Sequence, residues 1–161
     1  DGNLRIEKVF LDPSAKVFEE TDQAIRDADL IVIGPGDLYT SIIPNFLVEG
    51  MPEALRASKA KTIVVCNLMT KWGETHGFVA SDMVRELLKY SGLEKFDYVI
   101  CNTKSMDPEL LEKYAKSKQY PMQADNQLPK YAHKVIMGDF FLEADIARHD
   151  PTKIAQAIYA L

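Results

Sequence analysis

Asp29-Leu30-Ile31-Val32-Ile33-Gly34-Pro35-Gly36-Asp37-Leu38-Tyr39-Thr40-Ser41-Ile42-Ile43-Pro44-Asn45 compresses a strand, a turn and a helix start into one short stretch. Residues 30–33 form a continuous apolar run rich in β-branched side chains, the pattern of a strand buried on both faces. Gly34-Pro35-Gly36 ends it, because glycine admits positive φ or a close approach to the main chain. Thr40 and Ser41 then stand where a helix would begin. Unpaired amides and a helix dipole both favour negative charge, so this order of parts has the form of an anion site. The same residues equally describe a tight strand-to-helix turn with Thr40 or Ser41 as its N-cap.

Working outward, the motif recurs. Residues 62–66 (Thr-Ile-Val-Val-Cys), 98–101 and 134–137 are further short apolar runs, each followed by a polar or glycine-containing loop and then a helical pattern. Ala80, Met83, Val84, Leu87 and Leu88 fall on one helical face, with Gly92 to stop the helix. Asp107-Pro108 and Asp150-Pro151 read as N-cap and N1 pairs. The first of these helices buries Leu110, Leu111 and Tyr114, and the second Ile154, Ala155, Ile158 and Leu161. Between residues 38 and 58, Pro44, Gly50 and Pro52 divide the helical pattern into two short helices, with Gly50 as a C′ residue. Residues 4–11 partly alternate and predict a half-exposed strand near a sheet edge. Thr21 is a candidate cap for a short helix carrying Ala24, Ile25 and Ala28, and residues 119–130 read as an irregular connection.

Strand–loop–helix repeated four times predicts an α/β fold: a Rossmann-like open parallel sheet with right-handed crossovers and helices on both faces, in three layers. In such sheets ligands lie outside the carboxyl ends of the strands. Here those ends carry residues 34–37, Asn67 with Thr70, Asn102-Thr103 and Gly138-Asp139, all small or polar.

With 161 residues, 47% of them apolar and 27% charged, the chain predicts one soluble α/β domain over residues 1–161. A net charge of −5 without a Lys/Arg cluster argues against nucleic acid as a partner. No apolar run approaches the ~20 residues of a membrane span, which predicts no membrane partner. Cys66 and Cys101 each follow a strand-like run and read as reduced core thiols of a cytoplasmic protein.

Residues 34–45 resemble the Gly-Pro-Gly-Ser-Leu-Tyr-Thr-Ser-Ile-Ile-Pro-Asn motif of the CofD-like family. This family joins 2-phospho-L-lactate transferases, which act on a deazaflavin, to the gluconeogenesis factors. Cys66-Asn67-Leu68-Met69-Thr70 with Gly73-Glu74-Thr75, and Arg148-His149-Asp150-Pro151, resemble two further motifs of that family. The wording is that of the gluconeogenesis-factor branch. The resemblance implies a regulatory protein that binds a phosphorylated ligand, a nucleotide sugar such as UDP-N-acetylglucosamine, with links to carbon metabolism and cell-wall and cell-shape control. It further implies a homodimer at full length and a protein partner. The alternative it carries is a Mg²⁺-dependent phospho-lactate transferase. A Gly-rich nucleotide loop that opens the family's fold has no counterpart here, so the chain reads as the C-terminal part of a longer protein. Asp37 stands where the family usually has serine, Lys71-Trp72 where it has Gln-Pro, and His76 where it has an acidic residue.

The candidate ligand- and phosphate-binding residues are therefore Gly34, Pro35, Gly36, Asp37, Thr40, Ser41, Asn45, Asn67, Thr70, Gly73, Glu74, Thr75, Arg148 and His149. Loop-internal hydrogen bonding is the competing role for Asn67, Thr70, Glu74 and Thr75, and helix capping for Asp150. Asp37, Glu74, His76 and Asp82 are the side chains that a Mg²⁺ ion would use, although their spacing matches no metal motif. No nucleophile–base constellation is visible, and phosphoryl-type transfer does not require one.

Overall fold

The computed structural model describes residues 2–161. Its core is a four-stranded, all-parallel sheet of β1 (Leu30–Ile33), β2 (Lys61–Val65), β3 (Phe96–Asn102) and β4 (Ala132–Gly138), in the order β1-β2-β3-β4. Register places Val32 beside Ile63, Val65 beside Ile100 and Ile100 beside Ile136. The apolar runs read from sequence are these strands, and helices cover both faces of the sheet, which makes the fold a three-layer α/β Rossmann-like one.

On one face Ile33, Val64, Cys66, Val99 and Cys101 meet α2 (Ile43–Phe46), α3 (Met51–Ala57) and α4 (Ala80–Ser91). The stripe Ala80, Met83, Val84 and Leu87 is buried as the periodicity requires, and Gly92 closes α4 with φ +72°. On the other face Ile63, Val65 and Ile100 pack against Ile154, Ala157 and Ile158 of α6 (Pro151–Tyr159). A third cluster, Leu68, Met106, Leu110 and Phe141, seats α5 (Pro108–Ala115) beyond the carboxyl ends of the strands. Asp107 and Asp150 cap α5 and α6, accepting bonds from Glu109 N and from Thr152 N and Lys153 N respectively.

Four local expectations are corrected. Residues 4–11 form no strand. Instead, Ile6 and Val9 pack on the helical-side core and the Arg5 guanidinium lies 5.8 Å from the centroid of the Phe78 ring, so that cluster, not a sheet edge, takes the apolar residues. Thr21 lies inside α1 (Glu19–Asp27), whose N-cap is Phe18 without a side-chain bond; Ala24 is exposed and Ile25 alone packs on the core. Gly50 is the N-cap of α3, not the C′ of the preceding helix: it takes φ +94°, and a Cβ there would meet Val17 Cγ1 at 2.7 Å. In α6, Ala157 replaces Ala155 as an inward residue, and Leu161 is exposed. Residues 38–42 also form a π-helical turn ahead of α2, a wider coil that periodicity cannot distinguish from α.

Two features of the sheet position the site. Because strand order never reverses, no topological switch point lies among these four strands. Among the described residues, no strand pairs with the outer edge of β1, and its Leu30 and Val32 remain 43% and 46% exposed.

Candidate functional site

Gly34 shapes the end of β1. Its φ is +79°, and a Cβ there would sit 3.1 Å from the Val65 carbonyl oxygen and 3.3 Å from Ile42 Cδ1, so no larger residue fits without strain. The turn it starts is held to β2 by Asn67. The Asn67 carboxamide accepts from Gly36 N at 3.2 Å and donates to Gly36 O at 2.9 Å. This two-way bond locks the tips of β1 and β2 together.

A cleft of about 610 Å³ opens beside that lock, lined by residues 35–37, 67–71, Tyr114, Gln119 and 147–149. Arg148 and His149 arrive from far along the chain. After β4, the short antiparallel pair β5 (Phe141–Leu142) and β6 (Arg148–His149) doubles back toward the tip of β2. Asn102 anchors the excursion by accepting from Phe140 N at 2.9 Å, and the Tyr114 hydroxyl accepts from Ala147 N at 2.9 Å. His149 Nε2 lies 3.1 Å from the Cys66 carbonyl oxygen and can only donate to it. That bond assigns the neutral ring's proton to Nε2 and leaves Nδ1 as an acceptor. Burial pushes the imidazole pKa below its ordinary 6.5, outweighing the Cys66 bond, so the ring is neutral at pH 7.

The charges at the cleft are unequal in kind. Among the described residues, Arg148 pairs with no carboxylate. Lys71, by contrast, bonds to the Asp37 carboxylate and lies 2.8 Å from Glu74 Oε1. Those two bonds raise the Lys71 pKa, so it stays charged. Asp37 and Lys71, two departures from the resembled family that look independent in sequence, are one ion pair in space.

The remaining candidates fall into three groups. Gly34, Pro35, Gly36, Ser41 and Asn45 line a second groove of about 330 Å³ on the open side of β1, so the Gly-Pro-Gly turn is a ridge between two hollows. The Asn45 amide donates to the carbonyls of Ser41 and Ile42 and braces the π-helical turn. Thr40 Oγ1 and Tyr39 N both donate to the Glu74 carboxylate, at 3.4 Å each, so an internal anion uses these donors. Thr70 and Thr75 are buried and spend their hydroxyls as acceptors for Tyr120 N and Lys71 N; Gly73, with φ +84°, turns the same loop.

The ends of β3 and β4 lie outside the cleft: Thr103 donates to Gly138 O, and Asp139 pairs with Lys104 and Lys153. Asp82 accepts from Val79 N in the first turn of α4 and pairs with Arg85, whereas Asp37 and Glu74 share Lys71. Among the described residues, no three His, Cys, Asp or Glu side chains gather as a metal would need, and the Lys71 ammonium sits between Asp37 and Glu74. The donor set does not fit Mg²⁺. Cys66 and Cys101 are free, buried and adjacent; their mutual hydrogen bond and burial push the Cys66 thiol pKa up.

Sequence reasoning missed Lys71, Tyr114 and Gln119 as lining residues. Helical periodicity assigns Tyr114 to the core; it does pack there, and it also lines the cleft, its hydroxyl accepting from Ala147 N. For Lys71, the signal available was its change of charge type together with that of Asp37.

Residues 1–141 match the family model described as 2-phospho-L-lactate transferase CofD. The chain belongs to the CofD family. Within it, the chain is 38% identical over 157 residues to a gluconeogenesis factor of Halalkalibacterium halodurans, covering 96% of this chain and 49% of that protein. It is 36% identical over 160 residues to the gluconeogenesis factor of Bacillus subtilis, covering 98% of this chain and 50% of the other. A crystal structure of a Bacillus halodurans protein superposes with a TM-score of 0.90 at 38% identity, over 96% of this chain and 51% of that one. The chain thus spans about half the length of the curated relatives it matches.

Proposed function

We propose that the cleft between the tips of β1 and β2 binds a phosphorylated small molecule, and that this binding is regulatory rather than catalytic. The observation that carries the reading is Arg148, an exposed residue of the cleft lining whose guanidinium has no carboxylate partner among the described residues, beside a neutral His149 and the Asn67–Gly36 lock. An unspent guanidinium is the natural partner of a phosphate, which it engages bidentately. The motif resemblance of residues 34–45 and 66–75 extends the proposal: the ligand is a nucleotide sugar such as UDP-N-acetylglucosamine. Its occupancy, in a longer cytoplasmic and homodimeric protein, changes a surface read by a protein partner in carbon metabolism and cell-wall and cell-shape control. Among the described residues, no helix is long and apolar enough to cross a membrane.

The family model's description, 2-phospho-L-lactate transferase, favours a second reading, transfer of a phospho-lactate group, with the deazaflavin that the motif resemblance implies as acceptor. Titration calorimetry separates the two on the full-length protein. UDP-N-acetylglucosamine binding without turnover, weakened about tenfold or more by Arg148→Leu, supports the regulator. Consumption of a deazaflavin alcohol overturns it, and unchanged affinity in Arg148→Leu moves the phosphate out of this cleft.

A further inference from the structure

We propose that Asp37 is a gate on the anion cleft: its carboxylate competes with the incoming ligand for the Lys71 ammonium, which is the ligand's second cationic contact after Arg148. This inference rests on the reading of the cleft as an anion site and concerns how that site is controlled.

Lys71 Nζ is shared by two carboxylates that are held very differently. Glu74 is anchored. Its side chain is only 10% exposed, and it also accepts from Tyr39 N and Thr40 Oγ1. Asp37 stands on the rim with its side chain 44% exposed, and Lys71 is its only ion partner among the described residues. Asp37 occupies the N-cap position of the 38–42 turn, yet its side chain caps nothing; its backbone carbonyl does that work, accepting from Ser41 N and Ile42 N. The carboxylate can therefore leave Lys71 without orphaning any backbone group. Lys71 is fixed at its other end. Its N–H donates to Thr75 Oγ1 and its carbonyl accepts from Glu74 N and Thr75 N, so only the long, half-exposed side chain is free to move.

The charges explain the direction. Asp37, Lys71 and Glu74 sum to −1 while the pair is closed, and a negative rim opposes a phosphate. A phosphate that takes Lys71 from Asp37 replaces one charge-assisted bond by another and pushes the Asp37 carboxylate outward to water. Glu74 keeps its remaining donors and holds Lys71 close to the cleft. Asp37 thus lowers affinity while Lys71 raises it, although the two form one salt bridge. That opposition of sign is what a purely structural ion pair lacks.

The test is calorimetric titration of inorganic pyrophosphate, at low salt, into the full protein and its Asp37→Asn, Lys71→Met and Arg148→Leu variants, with melting temperatures recorded in parallel. Asp37→Asn should tighten binding about three- to tenfold, and Lys71→Met should weaken it about tenfold, with melting temperatures close to the parent's. If both variants move affinity in the same direction while Arg148→Leu still weakens it, the cleft stands and the gate is overturned. If none of the chains binds, Asp37→Asn included, or if Arg148→Leu has no effect, the anion site itself fails and the gate falls with it.

Discussion

The two ends of the parallel sheet carry nearly the same chemistry and use it in opposite ways. At the amino end, Asp97 accepts from Thr62 N at 2.9 Å, from Thr62 Oγ1 at 3.1 Å and from Lys61 Nζ at 2.9 Å, while Thr62 Oγ1 accepts in turn from Asp97 N. At the carboxyl end, Asp37 has the Lys71 ammonium and, among the described residues, its carboxylate accepts no backbone hydrogen bond. Lysine and aspartate occur in both. What differs is whether a backbone amide depends on the carboxylate, and so whether the carboxylate is structural or can be exchanged.

The comparison breaks first at Asp97. Asp97→Ala strands the amide and hydroxyl of Thr62, which is 6% exposed, and should cost roughly 1–3 kcal/mol by denaturant unfolding. Pyrophosphate affinity should stay unchanged. Burial alone would raise the Asp97 pKa, but the bonds from Thr62 and Lys61 outweigh it and hold the pKa below the ordinary 3.8. The folded state thus binds this proton more weakly than the unfolded one. The stabilisation is complete above pH 3.8 and is lost as pH falls through the lower folded value. Asp97→Asn should accordingly flatten the acid limb of a plot of stability against pH. If Asp97→Ala leaves stability unchanged, the amino-end cluster is as dispensable as the rim pair and the contrast disappears.

Gly34→Ala tests the carboxyl end at its backbone. A side chain at φ +79°, 3.1 Å from a carbonyl oxygen, should cost about 1–2 kcal/mol in thermal or denaturant unfolding. It should also weaken anion binding by shifting the ridge between the two hollows. The effect at His149 is smaller. Its folded pKa lies below 6.5, so its contribution is present above pH 6.5 and fades as pH falls through the folded value. His149→Gln should remove that part of the pH dependence between neutrality and mild acid, read as melting temperature against pH. Smallest of all is Asp37→Asn, expected within about 0.5 kcal/mol of the parent in stability. A larger loss would make Asp37 a structural residue like Asp97.

How far the sequence could be read varied with the range of the interaction. All four sheet strands were legible because their apolar runs and the turns that end them are local signals. The same holds for the caps Asp107 and Asp150, each next to its proline, and for Gly34, where the turn needs glycine. The strand expected at residues 4–11 failed because alternation shows an apolar face without saying what covers it. Gly50 was legible as a positive-φ position but not as the start of α3 rather than the end of the helix before it. Of the site, the tips of β1 and β2 could be read directly, whereas Arg148 and His149 entered through family resemblance. The approach of His149 to Cys66 depends on a hairpin turned back by Asn102 and Tyr114.

By itself the sequence determined the order of elements, the parallel α/β class and the polar character of the strand tips, since backbone preference and hydrophobic period are properties of neighbouring residues. Only the tertiary structure decided which tips converge, that Glu74 uses the donors of Tyr39 and Thr40, and that Asp37 and Lys71 meet. Those outcomes depend on groups brought to 3.4 Å or closer from residues more than 30 positions apart, a separation over which no local rule acts.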